Sequence, residues 1–264
     1  MMYIDFHTHG KLAKKLPFSG AYTDWLFREA RRAGLDALCL TEHFNTLQFE
    51  EIYRYIQERA DSDGDTLLFH GLRIFPGMET DIAEGGHILS IGPLDAILEL
   101  NRRLSDHKEK ENFLPFSQLM DVFTQYPVLV GAAHPFRSGG RIPELPLEQL
   151  ERLDFLDFNG KDIACDREGT ERKITSLGRL LNKPVAGGSD THQAVQYGCV
   201  KTKIPTCATV RELGARIERG EHEIIIHPEI ELKVRTAGIL KRALKEVHCL
   251  GGDYVSLLIS GPAA

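Results

Sequence analysis

Short apolar runs alternate with longer amphipathic stretches along most of the chain, and this alternation is what most limits its fold. Runs typical of strands lie near residues 3–6, 37–41, 72–78, 87–91, 128–132, 155–158, 184–186 and 223–226. Helical periodicity covers residues 22–33, 49–60, 116–125, 147–153, 168–181, 210–219 and 237–247. Strands separated by helical patterns of about 10–15 residues predict βαβ units and a parallel sheet. About seven such units predict an α/β fold with a closed or nearly closed β/α barrel.

No internal repeat, low-complexity tract or linker divides the sequence, so residues 1–264 are expected to form one barrel domain. Thr23 and Asp24 are candidate caps of the first helix, and Gly34 falls where a glycine commonly ends one. The charged stretch 101–112 is predicted to be a solvated helix or an exposed excursion. The last ~30 residues, after about Lys233, carry no motif and are expected to add a helical or strand extension, or a tail.

The composition limits the classes of partner. The chain has 32 lysines and arginines against 38 aspartates and glutamates, a formal net charge of −6. An acidic chain is poorly suited to extended binding along a nucleic-acid backbone. Its five cysteines are scattered, which argues against a disulfide framework or a thiolate zinc site. Neither an apolar run of about 18 residues nor a secretory signal pattern is present, so we expect no membrane contact and a cytoplasmic location.

Histidines and carboxylates fall where the predicted strands meet one rim of the barrel. In β/α barrels, functional side chains lie just beyond the C-terminal ends of strands. The candidates are His7, His9, His43, Glu79, His87, His134, Asp190 and His192. In an extended segment residues two apart point to the same side, so both imidazoles of the His7-Thr8-His9 sequence can reach one ion.

These residue types favour a metal centre. Neutral imidazoles and carboxylates are the usual ligands of Zn²⁺, Fe and Mn²⁺. One histidine near a strand end is more often structural than a ligand, but the agreement of the whole set with one rim predicts two or three divalent ions. The remaining histidines lack a matching context and are predicted to be structural or surface residues: His70, His107, His222, His227 and His248.

The motifs DFHTHG, TEH, GMET, GGHILSIG, AAHPF and GGSDTH, in this order from Asp5 to His192, resemble those of a known superfamily. It is the polymerase and histidinol phosphatase (PHP) superfamily of metal-dependent phosphoesterases. The resemblance implies a distorted (β/α)7 barrel of parallel strands with two or three Zn, Mn or Fe ions at its C-terminal rim. It also implies a set of ligands for each ion. These are His7, His9, Glu79 and Asp190 for the first, Glu79, His87 and His134 for the second, and His43 and His192 for a third.

The chain departs from this pattern at the third site. Three-metal members usually place another histidine or aspartate a few residues beyond the His-x-His pair, whereas residues 11–15 here read KLAKK. Either the third ion is weak or absent, or a lysine, Lys14 or Lys15, replaces it as a partner of the phosphate. We favour two firmly held ions.

A water that bridges two ions has its pKa lowered from 15.7 towards about 7, so a metal-bridging hydroxide could attack a phosphate ester. The expected substrate is a small-molecule monoester, such as a histidinol-phosphate-like, nucleotide or sugar phosphate. Arg137 is predicted either to fork onto phosphate oxygens or to be an exposed rim residue. His192 is predicted to protonate the leaving alkoxide if no third ion binds it. Glu42 either orients a neighbouring ligand or lies buried behind the rim.

Two alternatives remain open. TatD-type nucleases and amidohydrolases also begin with His-x-His on the first strand of a barrel, but they do not typically pair the late aspartate as Asp-x-His. Amidohydrolases often carry a carbamylated lysine, and no strand-end lysine clearly suits that role. The second alternative is a non-catalytic metal-binding PHP module, against which the nearly intact ligand set argues.

Overall fold

The computed structural model describes residues 1–259, in which a single 11-stranded sheet forms. The strands are β1 (Met2–Thr8), β2 (Ala37–His43), β3 (Asp61–Asp63), β4 (Thr66–Phe69), β5 (Leu72–Asp81), β6 (His87–Ile91), β7 (Leu129–Ala133), β8 (Phe155–Asn159), β9 (Val185–Gly188), β10 (Val200–Ile204) and β11 (Glu223–Ile226). The helices of the same range are α1 (Gly20–Arg32), α2 (Phe49–Gln57), α3 (Leu94–Arg103), α4 (Phe116–Phe123), α5 (Leu147–Leu150), α6 (Gly160–Cys165), α7 (Arg167–Leu181), α8 (Val210–Glu218), α9 (Ile230–Cys249) and α10 (Tyr254–Ile259).

The sheet closes almost completely on itself. Its order is β11-β10-β1-β2-β5-β6-β7-β8-β9, with the β3–β4 hairpin attached through β5. Strands β1, β2 and β5 are parallel, as are β7, β8 and β9. A parallel bridge between Thr8 and Thr191 links β1 to the segment after β9. The predicted α/β barrel of mostly parallel strands is therefore confirmed.

Strand β6 is an exception to the parallel arrangement, because it pairs antiparallel with both β5 and β7. A parallel pair needs a crossover of a dozen or more residues, and only a short turn joins β5 to β6. Gly85 and Gly86 adopt φ of +93° and +126°, which a side chain would disfavour. His87, the first residue of β6, consequently lies opposite Asp81 and Ala133, near the C-terminal ends of its neighbours.

Apolar side chains cover both faces of the barrel wall. The inner cluster includes Ile4, Phe6, Cys39, Phe75, Leu89 and Phe155, together with Val210, Leu213 and Ile217 of α8. The outer cluster, between the sheet and the helices, includes Leu38, Leu40, Ile74, Ile88 and Leu156. Neighbouring residues such as Cys39 and Leu40 thus face opposite sides, as the period of a strand requires. Helix α8 closes the N-terminal end of the barrel, which leaves the C-terminal end for polar side chains.

Several predicted boundaries were wrong. Ser19, rather than Thr23 or Asp24, caps α1, since its hydroxyl accepts a hydrogen bond from the backbone N–H of Tyr22. Gly34 has the predicted positive φ, +80°. The sequence patterns also missed β3, β4, β10, α3 and α6. The charged stretch 101–112 begins as the last turn of α3 and continues in two short 3-10 turns.

The segment after Lys233 is largely helical. Helix α9 packs against α6 and the 3-10 turn Ala194–Gln196, and Tyr254 of α10 lies with its ring centroid 5.8 Å from that of Tyr22. The beginning of the predicted final strand or tail is therefore helix, and its residues 260–264 lie outside the described part of the chain. No helix within residues 1–259 has the length and apolar character needed to cross a bilayer.

Candidate metal centre

The predicted donor residues converge on Glu79, a buried residue near the end of β5. Its Oε2 lies 2.7 Å from His43 Nδ1 and 3.5 Å from Nε2 of both His7 and His9. Its Oε1 lies 2.8 Å from His87 Nδ1 and 3.1 Å from His134 Nε2. The two carboxylate oxygens thus face two different groups of imidazoles.

The arrangement of the first pair of histidines follows from an irregular strand. The register between β1 and β2 shifts between Asp5 and Thr8, and such bulges re-aim side chains. His7 and His9 both turn towards the centre, with ring centroids 5.3 Å apart. The two imidazoles therefore lie on one side of this segment.

Asp190 and His192 approach from the segment after β9. Asp190 Oδ1 lies 3.3 Å from His9 Nε2 and 4.0 Å from His7 Nε2. The backbone at Asp190 has φ of +54°, a strained value that its N–H bond to the carbonyl of His7 helps to fix. The ring of His192 stacks on that of His9, at 4.1 Å and 3° between planes.

Four groups of these side chains bring their donor atoms within 4.8 Å of one another: His7, His9 and Glu79; His7, His134 and Asp190; Glu79, His87 and His134; and His9, His43 and His192. The last group, of His9, His43 and His192, lies at the corner of the site where a third ion was predicted and where the sequence lacks the expected extra ligand. Lys11, buried in that corner, instead donates from its Nζ to the carbonyl of Leu47, 2.6 Å away. Lys14 lies nearby with its Nζ 3.1 Å from Asp81, whereas Lys15 is exposed.

Unpaired polar atoms show that these residues fit divalent ions. Several buried donor atoms have no hydrogen-bond partner within residues 1–259: His7 Nε2, both ring nitrogens of His9, His43 Nδ1 and Glu79 Oε2. The 2.7 Å contact between His43 and Glu79 lacks the angle of a hydrogen bond, so proximity alone leaves both atoms unsatisfied. A buried unpaired polar group costs about 1–3 kcal/mol. Cations that accept the lone pairs of these nitrogen and oxygen atoms would offset this cost for the whole cluster.

Two buried carboxylates lie behind the imidazoles of His7 and His9. Asp157 Oδ2 lies 2.9 Å from His7 Nδ1 and also accepts the backbone N–H of His134. Glu42 Oε1 lies 3.5 Å from His9 Nδ1, and its oxygens accept N–H groups of Gly10 and His43. A proton held on Nδ1 of His7 leaves its Nε2 free as a donor to a metal, whereas Glu42 lies beside His9 without a hydrogen bond to its ring. Glu42 is thus both buried behind the rim and close to a predicted ligand.

Charges within the centre set its protonation states. Burial raises the pKa of Glu79, but the imidazoles of His43 and His87 outweigh it and hold that pKa well below its ordinary value. Burial lowers the pKa of His43 to about 4, and burial with the charge of His9 holds that of His192 far below its usual range. Burial opposes the charged form of His87, yet Glu79 and Asp81 raise its pKa to about 9. Near neutrality Glu79 is ionised, His43 and His192 are neutral, and ligation by His87 requires loss of its proton.

Arg137 lies at the rim with most of its donors facing protein acceptors. Its guanidinium contacts Asp162 at 2.9 Å, Asp190 at 2.6 Å and Asn159 at 2.7 Å. These contacts use three of its five N–H groups. They place Arg137 as a support for Asp190, and the phosphate contact anticipated from the sequence remains a prediction.

Several residues near the centre escaped the sequence analysis. Lys161 Nζ lies 2.8 Å from Asp190 Oδ1, and Asp81 Oδ1 lies 3.0 Å from His87 Nε2. Both follow or end strands, so the strand-end rule that found the histidines could have found them. Lys241 lies on α9 and lines a cavity with His192, and no local pattern marked it.

Small cavities lie on both sides of the donors. One, of about 200 Å³, is lined by residues that include His87, His134 and Arg137. The other, also about 200 Å³, is lined by residues that include Lys161, His192 and Lys241. A larger cavity of about 740 Å³ lies elsewhere, against the starts of β7 and β9, and contains none of the predicted donors. Because the predicted donors line the two small cavities and not the large one, we place the candidate site at the small cavities.

Comparisons by sequence find no match, whereas comparisons by structure find proteins with a similar fold. No known family profile matches the chain, and no curated protein is detectably similar to it in sequence. Among solved structures, PsfC from Pseudomonas syringae PB-5123 aligns with a TM-score of 0.75 at 23% identity. The alignment covers 92% of this chain and 98% of PsfC. This likeness supports the same fold over nearly the whole chain.

Two further structures share the fold. The lesion-specific endonuclease PfuEndoQ from Pyrococcus furiosus aligns over 84% of this chain with a TM-score of 0.64 at 16% identity, and the chain spans 57% of that protein. An amidohydrolase from Chromobacterium violaceum, solved with bound sulfate and no metal, aligns over 84% of this chain and 97% of its own, with a TM-score of 0.53 at 16% identity. Proteins with different described activities thus use this barrel.

Proposed function

We propose that this chain, whose motif order resembles that of the PHP superfamily, is a metal-dependent phosphoesterase acting on a small-molecule phosphate monoester. The proposal rests on one observation, which is the convergence of buried, unpaired nitrogen and oxygen donors on Glu79. Perturbed and mutually oriented ionisable groups at the C-terminal rim of a barrel are typical of a reaction centre.

The donor groups suggest how two or three Zn, Mn or Fe ions would be held. Glu79 would bridge a first ion, held with His7, His9 and Asp190, and a second, held with His87 and His134. His43 and His192, next to His9, would hold a third. Ions there would lower the pKa of bound water towards about 7 and neutralise charge on the phosphoryl oxygens.

The other residues would act through position and charge. Arg137 and Lys161 neutralise Asp190 and fix its two oxygens. His192 Nδ1 lies 2.9 Å from the carbonyl of Lys11, so this nitrogen carries the proton and Nε2 faces the cluster. A low pKa and a free Nε2 favour His192 as a ligand over His192 as a proton donor.

The size of the flanking cavities supports a small substrate. Each is about 200 Å³, below the roughly 300–1,000 Å³ of sites for drug-sized ligands. With a net charge of −6, the chain offers little attraction for an extended nucleic acid. A nucleotide or sugar phosphate, or an ester similar to histidinol phosphate, fits these limits.

We also propose one cytoplasmic barrel domain. All five cysteines are free, as expected in a reducing compartment. Helices α6 and α9 pack on each other across the rim, so the C-terminal segment contributes to the same unit.

The test is a phosphatase panel on protein reconstituted with Mn²⁺, Fe²⁺ or Zn²⁺. We expect hydrolysis of p-nitrophenyl phosphate and of at least one sugar or nucleotide monoester. Glu79→Ala and His9→Ala should reduce bound metal, measured by mass spectrometry, and reduce turnover at least about 10³-fold. His70→Asn is the matched control, because His70 is exposed and has a positive φ that asparagine tolerates.

Adding a cyclic amide and single-stranded DNA to this panel separates the alternatives. Cleavage of a cyclic amide or of single-stranded DNA, without hydrolysis of monoesters, would identify an amidohydrolase or a nuclease. Stoichiometric metal with no turnover on any substrate would indicate a binding module. Full metal content and full activity in Glu79→Ala would refute the assignment of Glu79 as the bridging ligand.

A further inference from the structure

A cavity beside the candidate metal centre carries unpaired positive charge. It lies between α6, α9 and the segment that follows Asp190, and has a volume of about 200 Å³. Lys161, Lys241 and His192 line it, so it is continuous with the rim at which the predicted ligands meet.

The two lysines differ in their partners. Lys161 pairs with Asp190 at 2.8 Å. In the part of the chain that the structure describes, Lys241 has no carboxylate oxygen within 4 Å of its Nζ. Both lysines line the same cavity of about 200 Å³, and burial, followed by the charge of Lys161, lowers the pKa of Lys241 to about 8. Two neighbouring, partly desolvated cations are stabilised when an anion binds between them.

Helix α9 leaves room for such an anion. Val234, Ala237, Gly238 and Lys241 all line the cavity, and their spacing places them on one face of the helix. A Cβ atom built at Gly238 would meet no heavy atom within 4 Å, so the space beside it is open. The cavity wall formed by α9 therefore combines small side chains with the charged end of Lys241.

We propose that this cavity binds a second anionic group of the substrate while the scissile phosphoryl group lies at the metal centre. The inference rests on the proposed function and narrows its substrate class. The substrate is a phosphate monoester that also carries a carboxylate or a second phosphate. Lys241 is the residue that selects it, with Lys161 as the neighbouring charge.

Phosphonates provide a test that does not require turnover, because their C–P bond is not an ester bond. Calorimetry on Mn²⁺-loaded protein would compare propylphosphonate, with one anionic group, against 3-phosphonopropionate and propane-1,3-diphosphonate, which add a carboxylate or a second phosphonate. We expect at least one of the two-anion probes to bind about tenfold or more tightly than propylphosphonate. The stronger of the two identifies the second group.

Two variants locate the effect. Lys241→Met removes the charge and keeps the stem, and Gly238→Leu fills the open space with a better helix former. Each should reduce the affinity ratio to within about threefold, because charge or access is lost. Arg242→Met, which removes one charge from the adjacent exposed position, should retain the full ratio.

The outcomes separate this inference from the proposed function. If propylphosphonate binds and p-nitrophenyl phosphate is hydrolysed, but a second anion adds no affinity, the inference is refuted and the function stands. A preference that survives in both Lys241→Met and Gly238→Leu refutes it as well. If no monoester is hydrolysed and propylphosphonate does not bind, the proposed function is refuted, and the inference that rests on it is refuted as well.

Discussion

At the scale of single residues, one oxygen atom of Asp157 contacts three groups at the candidate centre. Its Oδ2 lies within 3.2 Å of His7 Nδ1, the backbone nitrogen of His134 and Asn159 Nδ2. Asp157→Asn removes the charge that holds the proton on Nδ1 of His7. We expect metal affinity to fall about 10–100-fold, as measured by competition with a fluorescent chelator.

Asp154→Asn is a suitable control for this substitution. Asp154 lies just before β8, at the other end of the same strand, where its Oδ2 accepts the backbone N–H of Val130 at 2.7 Å. It should affect stability while metal affinity stays unchanged. Equal loss of metal affinity in both variants would mean that general weakening of β8, rather than orientation of His7, sets the affinity.

The same residues show why the site was only partly predictable. His7, His9, Glu79 and Asp190 carry a local signal, since each follows or ends a strand and has ligand chemistry. Asp157 contacts His7 across 150 positions of sequence, and nothing in its own neighbourhood indicates that contact. Residues that orient ligands depend on the register of strands that are distant in sequence, and the pattern of one strand does not contain that register.

At the scale of elements, helix α2 and strand β5 are joined by one buried hydroxyl. Pro76, which pairs with Leu40, has no N–H to donate to the ladder between β2 and β5. The Tyr53 hydroxyl lies at this position, 2.6 Å from the carbonyls of both Leu40 and Gly77. We expect Tyr53→Phe to lower the free energy of unfolding by about 1–2 kcal/mol. The melting temperature, measured by circular dichroism, should fall by about 2–8 °C.

Tyr126→Phe is the matched change for Tyr53→Phe, because the Tyr126 hydroxyl bonds to Glu99 at an exposed position. It should alter stability by less than about 0.5 kcal/mol. Similar losses for both tyrosines would show that the buried hydroxyl contributes no more than an exposed one.

Elements were predictable where they were long and strongly periodic. The β/α alternation predicted the barrel strands, but the direction of β6 depends on the length of the turn after β5, which apolar periodicity does not report. The 3-residue strand β3 contains no apolar residue, so its polar sequence resembles a turn. Helix α9 begins at Ile230, seven positions before its predicted start, because its first turns are rich in charged and β-branched residues.

At the scale of the whole molecule, the donors of the candidate centre come from strands that are far apart in sequence. His7 is on β1, His43 on β2, Glu79 on β5 and His87 on β6, whereas Asp190 follows β9. These donors are adjacent only when the barrel is folded, so cations that bind them stabilise the folded state by mass action.

Metal removal should therefore destabilise the barrel. A free ion at about 100 times its dissociation constant contributes about 2.7 kcal/mol, which at this chain length is about 5–10 °C in melting temperature. We expect EDTA-treated protein to melt lower than Mn²⁺-loaded protein by that amount. Glu79→Ala should lose most of this difference, whereas Tyr53→Phe, with its hydroxyl outside the donor groups, should melt lower in both states and keep it. Identical melting of metal-free and metal-loaded protein would contradict a cation-binding centre at the donors around Glu79.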